Sequence, residues 1–366
     1  MRAVVVSHTY LDPANRGKLR ALTALGCTIA VAVPDRWINT ASGAPVSATF
    51  GDDGGVRFVP IPVRSLVPEG ATWRARAIRQ LLTDFRPDIV QIEEDPWTQV
   101  AAASAIAATS LKIPALIFSW QNLPPRLSPL ALWRQYRVLP RLRGVIGGNK
   151  AATSQLSRAR PGVPSTTIPQ LGGLPPLEYH RPAREALSIG FVGRVVPEKG
   201  LDLLFRASVK LLGRWSLTVV GSGPGQEGLE RLAEQLGIAA RISWLGALPT
   251  TEWSQLWPSF DVLVVPSRTT QRWMETFSLP VIQAMGHGVT VVASDSGALP
   301  ELVDTAGLVV PEGEIDALTA ALQHLLDSPR ERERLGREAR QRVMSEYTDD
   351  ALARKTLEFW ERVVGR

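Results

Sequence analysis

LSIGFVGRVVPEKG, residues 187–200, runs from an apolar stretch into two glycines that bracket two cations. Ile189, Phe191 and Val192 suit a strand covered on both faces, and Gly193 begins a strand-to-helix turn that carries Arg194 and Lys199. The same rhythm continues toward the C-terminus. SLTVVGS (216–222), RISWLG (241–246), DVLVVPS (261–267), VTVVAS (289–294) and GLVVP (307–311) read as further strands. Ile315, Leu318, Leu322 and Leu325 repeat at three and four and set one apolar stripe on a later helix.

Upstream of this stretch lies PQLGGLPPLEYHRPAREA (169–186), rich in Pro and Gly, which reads as a linker. Before it the alternation is already present. RAVVVS (2–7), TIAVAVP (28–34), VRFVPIPV (56–63), DIVQI (88–92), PALIFS (114–119) and GVIGG (144–148) read as strands, with helical patterns at 71–85 and 97–109. The expectation is an α/β chain of two Rossmann-like parallel-sheet domains facing across a cleft. They would occupy residues 1–175, completed by a C-terminal helix at 350–366, and residues 184–348. Open parallel sheets place ligands beyond the carboxyl ends of their strands, so the chemistry is expected there.

Composition sets the bounds. A chain of 366 residues exceeds one ordinary core, and 45% hydrophobic with 21% charged residues is globular. Cys27 is the sole cysteine, which excludes an intrachain disulfide and argues against a structural zinc site. No run of about 18 apolar residues occurs, and the N-terminus lacks a signal-peptide stretch, so a cytoplasmic protein is expected. The net charge of +6 rests almost wholly on arginine, since six of the 41 basic residues are lysines. It fits a solvated surface or one that meets phosphate or lipid; no nucleic-acid partner is expected.

Four segments of the second half carry candidate chemistry. Arg194 and Lys199 at a strand-to-helix turn suit an anionic ligand or an ordinary solvated loop. Gly223, Gly225 and Gly228 match G-x-G-x-x-G, but they follow the second strand and lack the acidic ribose partner, so a tight turn or a phosphate contact outranks NAD binding. Glu275 precedes a helix starting near Ser278, a candidate N-cap with Pro280 in the first turn, and Gln283 lies one turn inside. A capping carboxylate with a satisfied amide, and a ligand-reading pair, both fit. Ser294, Ser296, Gly297 and Glu301 form another loop at a strand end.

In order, these segments read Gly193-Arg194 with Lys199-Gly200, Val220-Gly221-Ser222-Gly223-Pro224, Pro266-Ser267, Glu275 to Gln283 with Ala284-Met285-Gly286-His287-Gly288, and Ser294-Asp295-Ser296-Gly297 with Pro300-Glu301. Together, across roughly 188–312, they resemble the C-terminal domain of family 4 retaining glycosyltransferases, which have the GT-B fold. The resemblance implies that Arg194 and Lys199 hold the diphosphate of a nucleotide-sugar and that Glu275 bonds hydroxyls of the donor sugar. Gln283 would meet the ribose, where the family has a second glutamate, and Ser278 stands where the family has glycine. Gly17, Gly193, Gly221, Gly223, Phe277, Ser278 and Leu279 would complete the donor site.

The first half matches more loosely. In residues 7–34 the usual glycine pair is replaced by Asn15-Arg16-Gly17. In PDIVQIEEDPW (87–97), Glu93 falls by spacing where relatives place a histidine beside the donor sugar, with Glu94 and Asp95 behind it. These carboxylates would bind hydroxyls or assist proton removal, or form a solvated acidic loop. Gln121 and Asn122, in SWQNLPPR (119–126), would line the acceptor side.

The implied activity is transfer of a sugar from a nucleotide-sugar to an acceptor hydroxyl with retention, and with no metal or other cofactor, because Arg194 and Lys199 would neutralise the leaving phosphate. A degenerate binder of nucleotide or carbohydrate, and a nucleotide-sugar epimerase, are the alternative readings. The acceptor is left open between a saccharide, a lipid-linked sugar and a small molecule. Residues 126–143, with Arg126, Arg134, Arg137, Arg141 and Arg143 among Leu130, Leu132, Trp133 and Leu139, suggest peripheral contact with the inner face of the cell membrane. Residues 73–86 add Trp73, Arg74, Arg76, Arg79 and Arg86. Ordinary covering helices of a sheet have the same composition.

Overall fold

The computed structural model describes residues 1–38, 45–48, 51–64, 72–173 and 186–365. The chain divides into two units, Met1–Gly172 with Asp349–Arg366, and Gly173–Thr348. Most of the linker segment, 174–185, lies outside the described residues.

The first unit contains β1 (Arg2–Val6), α1 (Gly17–Ala24), β2 (Thr28–Pro34), β3 (Arg36–Ile38), β4 (Pro45–Ser47), β5 (Gly51–Asp53) and β6 (Val56–Ile61). It continues with α2 (Ala75–Phe85), β7 (Ile89–Ile92), α3 (Gln99–Ser110), β8 (Ala115–Ser119), α4 (Pro129–Val138), β9 (Gly144–Gly147), α5 (Lys150–Ala159) and β10 (Ser165–Thr167). The second unit contains β11 (Leu187–Val192), α6 (Leu201–Val209), β12 (Trp215–Val220), α7 (Gln226–Gln235), β13 (Ile242–Gly246) and β14 (Val262–Val265). Then come α8 (Leu279–Gly286), β15 (Thr290–Ser294), α9 (Leu299–Val303), β16 (Leu308–Val310), α10 (Ile315–Asp327) and α11 (Pro329–Glu346). The last helix, α12 (Asp349–Val364), belongs to the first unit.

The first sheet has eight strands in the order β10-β9-β8-β7-β1-β2-β6-β5, parallel apart from β5, which runs antiparallel to β6. The second has six parallel strands in the order β13-β12-β11-β14-β15-β16. In each, winding outward from the first strand reverses direction once. β1 lies between β2 and β7, and β11 between β12 and β14. Ligands of such sheets sit beyond the carboxyl ends of the two strands flanking that reversal.

The apolar runs form strands because both faces are covered. Ala3, Val4, Val5 and Val6 are all at most 1% exposed. Val4 and Val6 pack with Ile78 and Leu82 of α2 and Ala101 and Ala105 of α3, while Ala3 and Val5 pack with Leu19 and Leu22 of α1 and Trp360 of α12. In the second unit Ile189 and Phe191 share a core with Leu204 and Leu322, and Val192 with Met285 and Val343. Four strands escape the periodicity, β3, β4, β5 and β10. Each has three residues, too few to display an alternation.

Candidate active site

The backbone at the end of β11 is built by close approach. The Gly193 amide donates to Val220 O at 2.9 Å and that of Val195 to Ser222 O at 2.9 Å. A Cβ at Gly221 (φ 140°) would stand 1.8 Å from Gly193 O, and one at Gly223 2.3 Å from Val195 O. These glycines therefore let two loops press together and fix the Arg194 loop. Arg194 itself is solvent-facing, its side chain 63% exposed and 3.8 Å from Glu198. Pro197–Lys199 forms one 3-10 turn, followed by Gly200 at φ 68°. A Cβ on Gly200 would lie 1.9 Å from Pro266 O, so this turn is seated on the chain leaving β14.

That seating brings Lys199 to Glu275. Lys199 Nζ lies 2.7 Å from Glu275 Oε2, which also accepts from Ser267 Oγ at 3.0 Å, and Nζ stands 4.8 Å from the Trp273 ring centre. Glu275 is 4% exposed. Arg268 secures the loop: its amide donates to Glu198 O at 2.8 Å and its guanidinium to Asp202 at 2.9 and 3.3 Å. The Ala298 amide donates to Glu275 O at 2.9 Å, and Ser294 Oγ to Ser267 O at 2.5 Å. A lysine after β11 and a glutamate after β14 thus meet at the reversal point of the sheet. The pair combines ammonium donors with a carboxylate acceptor, the groups that phosphate and sugar hydroxyls respectively engage.

Ser278 does occupy the N-cap position of α8, with Pro280 in the first turn, but its side chain makes no capping bond. Phe277 is half-buried against the core formed with Val281 and Met285, and Leu279 is half-buried. Gln283 is half-buried on α8, and its side-chain amide makes no hydrogen bond to the described residues; its carbonyl accepts from His287.

At the reversal point of the first sheet the carboxylates after β7 are engaged with other side chains. Glu93, the expected partner of a sugar, is 4% exposed and accepts from Gln91 at 2.6 Å and Gln170 at 2.7 Å, with Lys18 Nζ at 3.5 Å. Burial, then the Glu93 charge, holds the Tyr10 phenol well above its ordinary pKa. Asp95 accepts from Ser119 Oγ at 2.5 Å, and burial raises its carboxyl to about 6. Glu94 meets His8, after β1, at 2.6 Å from Nδ1. Burial lowers the imidazole's pKa, but the charge and hydrogen bond of Glu94, with Asp95 and Glu93, outweigh it and raise the net value. The His8 side chain is 39% exposed and its ring stacks on Trp37. Nothing in the sequence pointed to His8, Lys18 or Gln170; the adjacency of β1 and β7 could have pointed to His8 alone.

Gly17 starts α1, where a Cβ would stand 1.8 Å from the Asp349 carboxylate, so it makes room for α12. Gln121 folds onto its own loop, donating to Leu123 O at 2.7 Å, and Asn122 is buried beside it. Among the described residues no cluster of three or more His, Cys, Asp or Glu is arranged to hold a metal.

The family model for glycosyl transferases group 1 matches residues 180–342, and that for the glycosyl transferase 4-like domain matches 14–170. The MMP alpha-(1->4)-mannosyltransferase of Mycolicibacterium hassiacum is 36% identical over 177 residues, 47% of this chain and 42% of that protein. The GDP-mannose-dependent alpha-(1-6)-phosphatidylinositol monomannoside mannosyltransferase of Mycolicibacterium smegmatis is 36% identical over 152 residues, 40% of each chain. The chain thus matches less than half the length of these two relatives. Sucrose-phosphate synthase from Thermosynechococcus elongatus superposes with a TM-score of 0.74 at 19% identity, covering 100% of this chain and 99% of that one. With a glycosyltransferase model on each sheet and a GT-B neighbour along its full length, the chain belongs to the family 4 glycosyltransferases of GT-B fold.

Proposed function

We propose that the protein transfers a sugar from a nucleotide-sugar donor to an acceptor hydroxyl, with retention and without a metal ion. The observation that carries this is the Lys199–Glu275 contact at the reversal point of the second sheet, beside the exposed Arg194. When the bond from the anomeric carbon to the diphosphate breaks, negative charge grows on the departing phosphate. Arg194, Lys199 and the amides at the start of α8 answer that charge. Glu275 accepts from hydroxyls of the donor sugar, and Gln283 from the ribose. The acceptor oxygen bonds to the anomeric carbon on the face the phosphate leaves, and its proton passes to the departing phosphate oxygen. The donor class accords with the name of the Mycolicibacterium smegmatis relative. That relative's acceptor name also favours a lipid-linked acceptor here, with the first unit resting peripherally on the membrane. No helix among the described residues is long and apolar enough to cross one.

The test is transfer from a panel of nucleotide-sugars, with the product anomer assigned by NMR. Lys199→Ala and Glu275→Ala are each expected to reduce turnover by about 10²–10³-fold, the usual cost of losing one preorganised charge partner. EDTA should leave the rate unchanged. Equal background rates in wild type and both variants would overturn the reading in favour of a binder. Conversion of the donor without any acceptor would identify an epimerase instead.

A further inference from the structure

The first unit has a pocket of about 500 Å³ between α2, α3 and α4. Its floor is Ala102, Ala103 and Ala107, and Ile106, Leu130 and Trp133 wall it. On α3 and α4, Ile106, Leu130, Leu132, Trp133 and Tyr136 are 40–68% exposed, and Ile106, Leu130 and Trp133 of these line the pocket. They are five of the eleven large apolar side chains exposed among the described residues, gathered on two helices. Scattered exposed apolar groups are ordinary, whereas a gathering of them marks a contact surface. Trp73 and Leu139, which the sequence grouped with this surface, are buried in the core beneath it and take no part.

The charge around the pocket has one sign. Arg76, Arg79 and Arg134 line it, and the Arg137 guanidinium stands 5.1 Å from the Trp133 ring. Helices α3 and α4 carry no acidic residue, and α2 carries only Asp84, which accepts from Gln80. A hydrocarbon chain needs apolar walls and no fixed partner, and the phosphate at its end needs guanidinium donors. The volume lies within the range of about 300–1,000 Å³ usual for ligand pockets. We propose that the pocket seats one acyl chain of an anionic bilayer phospholipid, with its phosphate held by Arg76, Arg79 and Arg134. Leu130, Trp133 and Tyr136 then lie at headgroup depth. This assignment rests on the peripheral attachment proposed above and gives it a defined lipid site.

Co-sedimentation of the full chain with vesicles tests it, using phosphatidylcholine alone and phosphatidylcholine mixed with phosphatidylglycerol. Binding is expected only to the mixed vesicles and should weaken with salt. Ala103→Phe, which fills the pocket without altering charge, is expected to weaken binding about tenfold by excluding the chain. Leu130→Ser, at an exposed position, should do the same and serves if Ala103→Phe melts early. Phosphatidylglycerol brominated on its acyl chains should quench wild-type fluorescence, and Trp133→Phe should lose that quench. If both variants bind like wild type while Arg76, Arg79 and Arg134→Glu together abolish binding, surface charge alone attaches the protein and the pocket assignment falls. If wild type binds no anionic vesicle, attachment itself falls. If it forms instead a dimer that Trp133→Ser dissociates, the face belongs to a second copy of the chain.

Discussion

Lys199 and Glu275 come from separate stretches of sequence and meet at 2.7 Å, so each was legible as a polar residue at a strand end before their contact was. His8, Lys18 and Gln170 were not legible, because what gives them meaning is a partner 75 or more positions away. Gln170 donates to Glu93, and Trp360 on α12 donates to Gln91 at 2.7 Å. Glu93 was legible by spacing as an acidic residue at a strand end, but its neighbours, an ammonium and two amides, were not. Asp53 offers a test at this scale. It pairs with Arg20 and Arg16, and those hydrogen bonds, Arg20's foremost, outweigh burial to lower its carboxyl to about 2. A depressed carboxylate stabilises the fold fully above the unfolded value of about 3.9 and loses that contribution as pH falls through the folded value. Asp53→Asn is therefore expected to cost about 0.5–1 kcal/mol near pH 6, since the pair is partly solvated, and the difference should shrink below pH 4 in urea titrations.

At the scale of elements, long apolar runs and helical stripes announced themselves, because the inner strands of a parallel sheet are buried on both faces and each helix on one. Strands β3, β4, β5 and β10 did not, and neither did the reason for Ser278. It stands at the N-cap of α8 without capping, so its side chain is not what starts the helix. The glycines were legible as turn formers, but their neighbours were not. Gly200 illustrates both parts, a positive φ of 68° and a carbonyl 1.9 Å from where a Cβ would stand. Gly200→Ala is expected to cost more than about 1 kcal/mol in chemical denaturation. By moving the Lys199 turn off Pro266 it should also lower transfer with wild-type sugar specificity. A variant that is destabilised but transfers at the wild-type rate would show that this turn does not position Lys199.

For the whole molecule, the repeated strand-helix rhythm on either side of a proline- and glycine-rich segment was enough to suggest two Rossmann-like sheets, and the order 3-2-1 outward from β11 and β1 is that of dinucleotide-type folds. What no local pattern could supply was the pairing of the chain's crossing points. Gly173 donates to Tyr347 O at 2.8 Å and bridges Thr348, while Gly172 lies against Asp349. Residues 173–348 therefore form a cassette whose two ends are a single hydrogen bond apart. Excised and produced alone, that cassette is expected to melt cooperatively and to gain about 2.7 kcal/mol of stability at a hundredfold excess of donor over its dissociation constant. The remaining 1–172, closed onto 349–366 by a short splice, should fold as well. Ends so close together make this a chain in which one half could be exchanged for a relative's by a single insertion, which on the proposed function would change the donor and leave the acceptor half in place.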